Sequence, residues 1–122
     1  IGRVWHVPRP LHLPALRRAA RLFVGKHDFA SFTSNPGYER ESTVRRLRSI
    51  RISRKPGNIL EFSFDGDGFL YRMVRNLVGA LVKVGHNRLS VADLKKILLA
   101  RSRTGAPPTA PAEGLYLLRV RY

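Results

Sequence analysis

Four apolar doublets, Phe69-Leu70, Met73-Val74, Leu77-Val78 and Leu81-Val82, recur at four-residue spacing through GFLYRMVRNLVGALVKVG, Gly68 to Gly85. An α-helix turns about 100° per residue, so this spacing brings every doublet onto one face. A stripe that wide has to be covered, and any fold of this chain must supply the core that covers it. On the same wheel Arg72, Asn76 and Lys83 fall in the sector that faces solvent. Arg75 belongs to neither side. It lies beside Tyr71, Gly79 and Val82, roughly 130° from the centre of the stripe. Helical spacing leaves two readings of it open: the stem runs along the core with its head in water, or the charge is held for a partner outside the helix. Gly79, about 1 kcal/mol worse than Ala in a helix, is expected where packing is close.

The chain has 122 residues and 43% hydrophobic content, enough for one core and hence one domain, 1–122. It does not begin with Met and reads as a piece of a longer chain. No apolar run reaches the length of a membrane span, so no membrane partner is expected. With no cysteine, disulfides and thiolate metal sites are excluded, and the composition fits a reducing, cytoplasmic setting. Asp65-Gly66-Asp67-Gly68 resembles the opening of a calcium loop, but Phe69, Tyr71 and Met73 stand where oxygen ligands are needed, and no metal is expected. His27, Asp28 and Ser31 are the residue types of a hydrolase triad without an order or spacing that pairs nucleophile and base. Gly25-Lys26 lacks the earlier glycine and the hydroxyl residue of a phosphate loop.

Charge is the loudest feature of the composition. Lys and Arg number 23 against eight Asp and Glu, a formal net charge of +15, and 18 of the 23 are Arg. Such an excess repels itself unless a polyanion shares it, and the guanidinium fork matches phosphate. Nucleic acid is therefore the first partner expected; the plain alternative is an Arg-rich composition with no partner behind it.

Along the chain, Val4 to Val7 reads as a short strand. Pro14 suits the first turn of a helix with Leu16, Ala19, Ala20, Phe23 and Val24 inward, Arg17, Arg18 and Arg21 outward, and Gly25 as its stop. Phe29 and Phe32 are spaced to anchor a short helical turn, and Ser34 to Ser42 forms a polar loop. Thr43 to Arg54 is an imperfect strand carrying Arg45, Arg46, Arg48, Arg51 and Arg54; it turns at Lys55-Pro56-Gly57-Asn58 into the alternating Leu60, Phe62 and Phe64. That hairpin is the densest positive patch, either a phosphate-contacting surface or a solvated arginine face. Ser90 and Asp93 open a further helix as a capping box, with Val91, Leu94, Ile97 and Leu98 inward. Gly114 to Tyr122 is a strand. A hairpin and non-alternating helices predict an α+β fold, a mainly antiparallel sheet with helices packed on one face.

Four blocks occur in order: Trp5-His6-Val7-Pro8, Gly25-Lys26-His27-Asp28-Phe29 with Ser31-Phe32, Gly68-Phe69-Leu70-Tyr71-Arg72-Met73-Val74-Arg75-Asn76-Leu77-Val78-Gly79, and Thr109-Ala110-Pro111-Ala112-Glu113-Gly114-Leu115-Tyr116-Leu117. Together they resemble the C-terminal half of the tRNA pseudouridine synthase A family. The resemblance implies a pseudouridine synthase-like C-terminal domain. The family's enzymes isomerise uridine to pseudouridine in the anticodon stem–loop of tRNA, as homodimers and with no cofactor. The base leaves C1′ of its ribose, turns, and rejoins through C5. The family's catalytic aspartate sits in a Gly-Arg-Thr-Asp-Ala-Gly type segment of the N-terminal half, which this chain lacks; Asp28, Asp65, Asp67 and Asp93 stand in other contexts. Arg75 matches the arginine that pairs with that aspartate. Phe69 and Tyr71 match the neighbourhood of the site, and Leu115 and Leu117 the strand lining its floor. Ser102 departs from the family pattern, where an acidic residue often precedes the arginine at Arg103. Beside this transfer, charge alone nominates Arg17, Arg18, Arg21, Arg45, Arg46, Arg48 and Arg72 for contact with tRNA phosphates. The competing expectation is a free-standing basic RNA-binding module that shares the fold and does no chemistry.

Overall fold

Helix α1 (Leu13–Phe23) begins where Pro14 allows it, and His12 caps it by accepting the Ala15 amide through Nδ1 at 3.3 Å. Its inward face is Leu16, Ala19, Ala20 and Phe23, all buried. Val24 does not extend that face: it is the extended residue that ends the helix, and it is exposed. Gly25, at φ +108°, then turns the chain into β1 (Gly25–Asp28), a strand with no apolar alternation to announce it. A 3₁₀ turn (Ala30–Phe32) follows, and Phe29, its N-cap, and Phe32, its last residue, are fully buried, as their spacing predicts. Both rings meet Phe23, with centroids 6.3 and 5.2 Å away.

The computed structural model describes residues 12–33, 42–56, 59–70, 72–101 and 116–121, the last strand by its backbone alone. The expected strand Val4 to Val7 and nearly all of the loop Ser34 to Ser42 lie outside the described residues, as do Tyr71, Ser102 and Leu115. The hairpin is present as β2 (Val44–Lys55) and β3 (Ile59–Gly66), and β4 (Tyr116–Arg121) completes a sheet ordered β1-β2-β3-β4. The first two pairings are antiparallel; β4 runs parallel to β3, which it reaches by a crossover through two helices. Cross-strand partners Ile52 and Phe62 are buried together with Leu47, Leu60 and Phe64 against the helices, so the alternation in β3 reports a sheet covered on one face. The register slips between Leu47 and Ser49, leaving Arg48 as the extra residue of a β-bulge.

Helix α2 (Met73–Gly85) differs from its sequence reading in two ways. It starts at Met73, not near Gly68. Phe69 and Leu70 still belong to the connection from the sheet, and Arg72 at φ 58° is left-handed, a conformation that cannot propagate a right-handed helix. The doublet pattern runs past the helix start because the connection packs on the same core, with Leu70 buried. The second difference is Asn76, assigned to solvent by the wheel but fully buried. Its Nδ2 donates to the Phe32 carbonyl at 3.0 Å. The 3₁₀ turn covers what would otherwise be the polar side of α2, and only Arg75 and Lys83 of its residues are not buried.

Helix α3 (Val91–Ala100) carries the expected capping box. The Asp93 amide donates to Ser90 Oγ at 3.0 Å and the Ser90 amide to Asp93 Oδ2 at 3.2 Å. Leu94 and Leu98 are buried and Ile97 partly so, whereas Val91 is exposed at the first position, beyond the reach of the core. At the other end, Ser31 Oγ donates to the Ile97 carbonyl at 2.6 Å, one of the four carbonyls that a helix leaves unpaired.

The Ser90 backbone amide, and then its hydroxyl, hold the Asp93 carboxyl below its ordinary value of 3.8. A depressed folded-state pKa stabilises the fold above the unfolded value, and the contribution fades as pH falls through the lower folded one. Urea unfolding should show Ser90→Ala costing about 1 kcal/mol at neutral pH, with a smaller difference from the parent once pH is well below 3.8. A Cβ at Gly66 would lie 2.8 Å from the Arg46 carbonyl oxygen and 2.9 Å from Leu47 Cδ2. Gly66→Ala is thus expected to cost about 1–3 kcal/mol, and Gly68→Ala, whose nearest neighbour is Arg45 at 3.8 Å, no more than about 0.5 kcal/mol.

Candidate active-site arginine and nucleic-acid surface

The connection that delivers Arg75 is stitched to β2. Arg48, set by the bulge, donates to Asp65 Oδ1 through Nε at 2.9 Å and Nη2 at 2.6 Å, to the Gly66 carbonyl at 2.8 Å, and through Nη1 to Asp67. The Asp67 amide adds a hydrogen bond to the Arg46 carbonyl at 3.1 Å. Hydrogen bonding to Asp65, with the two carboxylate charges, raises the Arg48 pKa above its ordinary value. The acidic turn is therefore a clamp for this guanidinium, and among the described residues no three metal-ligating side chains gather.

Arg75 is the third residue of α2. It is partly exposed, yet its Nε is fully buried, and Gly79 one turn on is buried as well. This is neither a core position nor a free surface position: the residue is partly exposed while its Nε is seated in protein. The first turn of α2 holds no acidic residue while Arg72 is its N-cap. Two cations thus stand at the end of the helix whose dipole disfavours them, and an anion there is stabilised by both charges and dipole.

The remaining sequence candidates divide by what their side chains do. Arg17 donates through Nε and Nη2 to the Ile52 carbonyl, at 3.3 and 3.0 Å, and so fastens α1 to the part of the β2 edge that β1 does not reach. Arg45 bonds the Ser42 and Val44 carbonyls at 3.0 and 2.7 Å. Arg18, Arg21, Arg46 and Arg72 are exposed. Phe69 is partly buried against the core. Tyr71 and Leu115 lie outside the described residues, and Leu117 is described by backbone alone, paired with Glu61. The sequence reading missed Lys26, which β1 sets opposite Arg46. Lys26, Val44, Arg45, Arg46 and Asp67 line an open cleft of about 250 Å³. An unrecognised strand hid that juxtaposition; its one signal was the run of three polar residues after Gly25.

A family sequence model described as tRNA pseudouridine synthase matches residues 19–122. The chain belongs to the tRNA pseudouridine synthase family. It is 50% identical over 122 residues to the tRNA pseudouridine synthase A of Methylacidiphilum infernorum, covering 100% of this chain and 48% of that protein. The protein of that name from Geobacillus kaustophilus is 47% identical over 118 residues, and the one from Streptococcus thermophilus 44% over 119, covering 97% and 96% of this chain. The chain spans about half the length of these relatives, 45% and 47% for the latter two.

Arg17 and Arg18 are neighbours with opposite jobs, which a substitution can separate. Arg17→Met is expected to lower stability by about 1–2 kcal/mol, since it leaves the Ile52 carbonyl without its charged donor. Arg18→Met is expected within about 0.5 kcal/mol of the parent; denaturant unfolding of both checks this.

Proposed function

We propose that residues 1–122 form the C-terminal domain of a tRNA pseudouridine synthase, which isomerises uridine in the anticodon stem–loop of tRNA. The observation that carries this reading is the seat of Arg75: a partly exposed residue with its Nε buried, in the first turn of α2, at the position that matches the family's arginine. A carboxylate brought to that turn from outside this chain would be held ionised and oriented by a guanidinium that is partly desolvated and always charged. The catalytic aspartate of the family fills that role. Arg75 then fixes the carboxylate beside the ribose while the base is detached and rejoined, and Phe69, Tyr71, Leu115 and Leu117 border the space the uridine enters. The outward arginines of α1 and the hairpin hold tRNA by its phosphates. The assembled enzyme works as a homodimer in the cytoplasm, with no cofactor.

The test is Arg75→Ala in the full-length protein. Pseudouridine formation should fall by about a hundredfold or more, with tRNA affinity nearly unchanged; Arg75→Lys should recover little, because an ammonium lacks the bidentate fork. Undiminished turnover in Arg75→Ala would return Arg75 to a snorkelling surface residue. The 122-residue chain by itself should bind tRNA in a salt-dependent way and form no pseudouridine.

A further inference from the structure

Two arginines of the hairpin, Arg45 and Arg48, have an intramolecular occupation; among the described residues, Lys26 and Arg46 have none. Arg48 holds two carboxylates and Arg17 a strand carbonyl. Among the described residues, neither the Lys26 ammonium nor the Arg46 guanidinium has a side-chain partner: both residues are exposed and both line the same cleft. They are also direct Cα partners on adjacent antiparallel strands. Like charges facing each other across a strand pair destabilise it, and Arg45 adds a third cation to the same lining. The one acid there, Asp67, is neutralised by Arg48.

We infer that Lys26, Arg45 and Arg46 bind one backbone phosphate of the RNA, where the β1–β2 pair meets the turn leading to α2. Resting on the proposed function, this site adds what that reading lacks: a located contact and a residue, Lys26, that charge density along the sequence does not single out. The ligand is a phosphodiester of a polynucleotide and not a free anion. The cleft is open on one side and its Lys26 and Arg46 are exposed, so it suits a chain passing across it; a site for a small anion encloses it with buried donors. The position suits the reading as well. Asp67, on the rim, donates its backbone amide to the Arg46 carbonyl and lies in the connection that leads to Arg75, so a phosphate held here anchors RNA on the strand side of that connection.

Binding of tRNA to the full-length protein, measured by fluorescence anisotropy across a salt series, tests the site. The Lys26→Gln/Arg46→Gln double variant should bind more weakly at low salt, and the slope of log K against log salt should become shallower by about 0.9, the value of one phosphate contact. Lys95→Gln/Lys96→Gln, on exposed positions of α3, should leave the slope as it was. An unchanged slope in the first variant overturns the site. Without RNA, Lys26→Gln alone should raise the melting temperature at low salt by relieving the facing charges, and the gain should vanish at high salt; a lowered melting temperature would mark Lys26 as a structural residue and overturn the inference. If inorganic phosphate stabilises the parent but not the double variant, and the tRNA slope does not move, the cleft is a free-anion site and the RNA assignment fails. A protein that shows the slope change yet forms no pseudouridine would sink the enzymatic reading and leave the phosphate site standing.

Discussion

The complete enclosure of α2 governs the rest of this fold. A helix with an apolar stripe needs one covered face; α2 is covered on every side except at Arg75 and Lys83. That demands a polar fastening on the side away from the stripe, and Asn76 supplies it by donating to the Phe32 carbonyl. Without it a buried carbonyl would lose its partner, at a cost of about 1–3 kcal/mol. The 3₁₀ turn that receives this bond also reaches α3 through Ser31 and is seated by Phe29 and Phe32. One short turn thus holds two helices in place, and Arg75, next to Asn76, inherits a fixed direction from it.

The positive charge is divided into two kinds of work. Arg17 and Arg48 are structural: each satisfies groups at places where regular pairing stops, the uncovered edge of β2 and the turn beyond β3. Among the described residues, Lys26, Arg18 and Arg46 are exposed and hold no carboxylate or strand carbonyl in the way these two do. Counting arginines along the chain cannot make this division, because a guanidinium bonded to a carboxylate and one facing water have the same place in a charge tally.

Legibility followed periodicity. The β3 alternation, the inward face of α1, the capping box of α3 and the aromatic pair around the 3₁₀ turn were all readable, since each depends on residues a few positions apart. The start of α2 was not, because a connection packed on the core shows the same doublets as a helix packed on it. Nor was the burial of Asn76, which depends on a turn more than forty positions away. For the candidate site, Arg75 was marked as anomalous by the wheel alone, whereas Lys26 needed the pairing of β1 with β2.

By itself the amino-acid sequence determined the α+β class, the hairpin, the charge that calls for a polyanion, and the family, since its motifs survive in order along the chain. Only the tertiary structure decided which polar residues are enclosed, which arginines are already bonded, and which cations face one another. The physical reason is distance along the chain. Local spacing dictates which face of an element is apolar, but the partner of a side chain is set by packing between segments, and α2 is where that packing left one arginine half open.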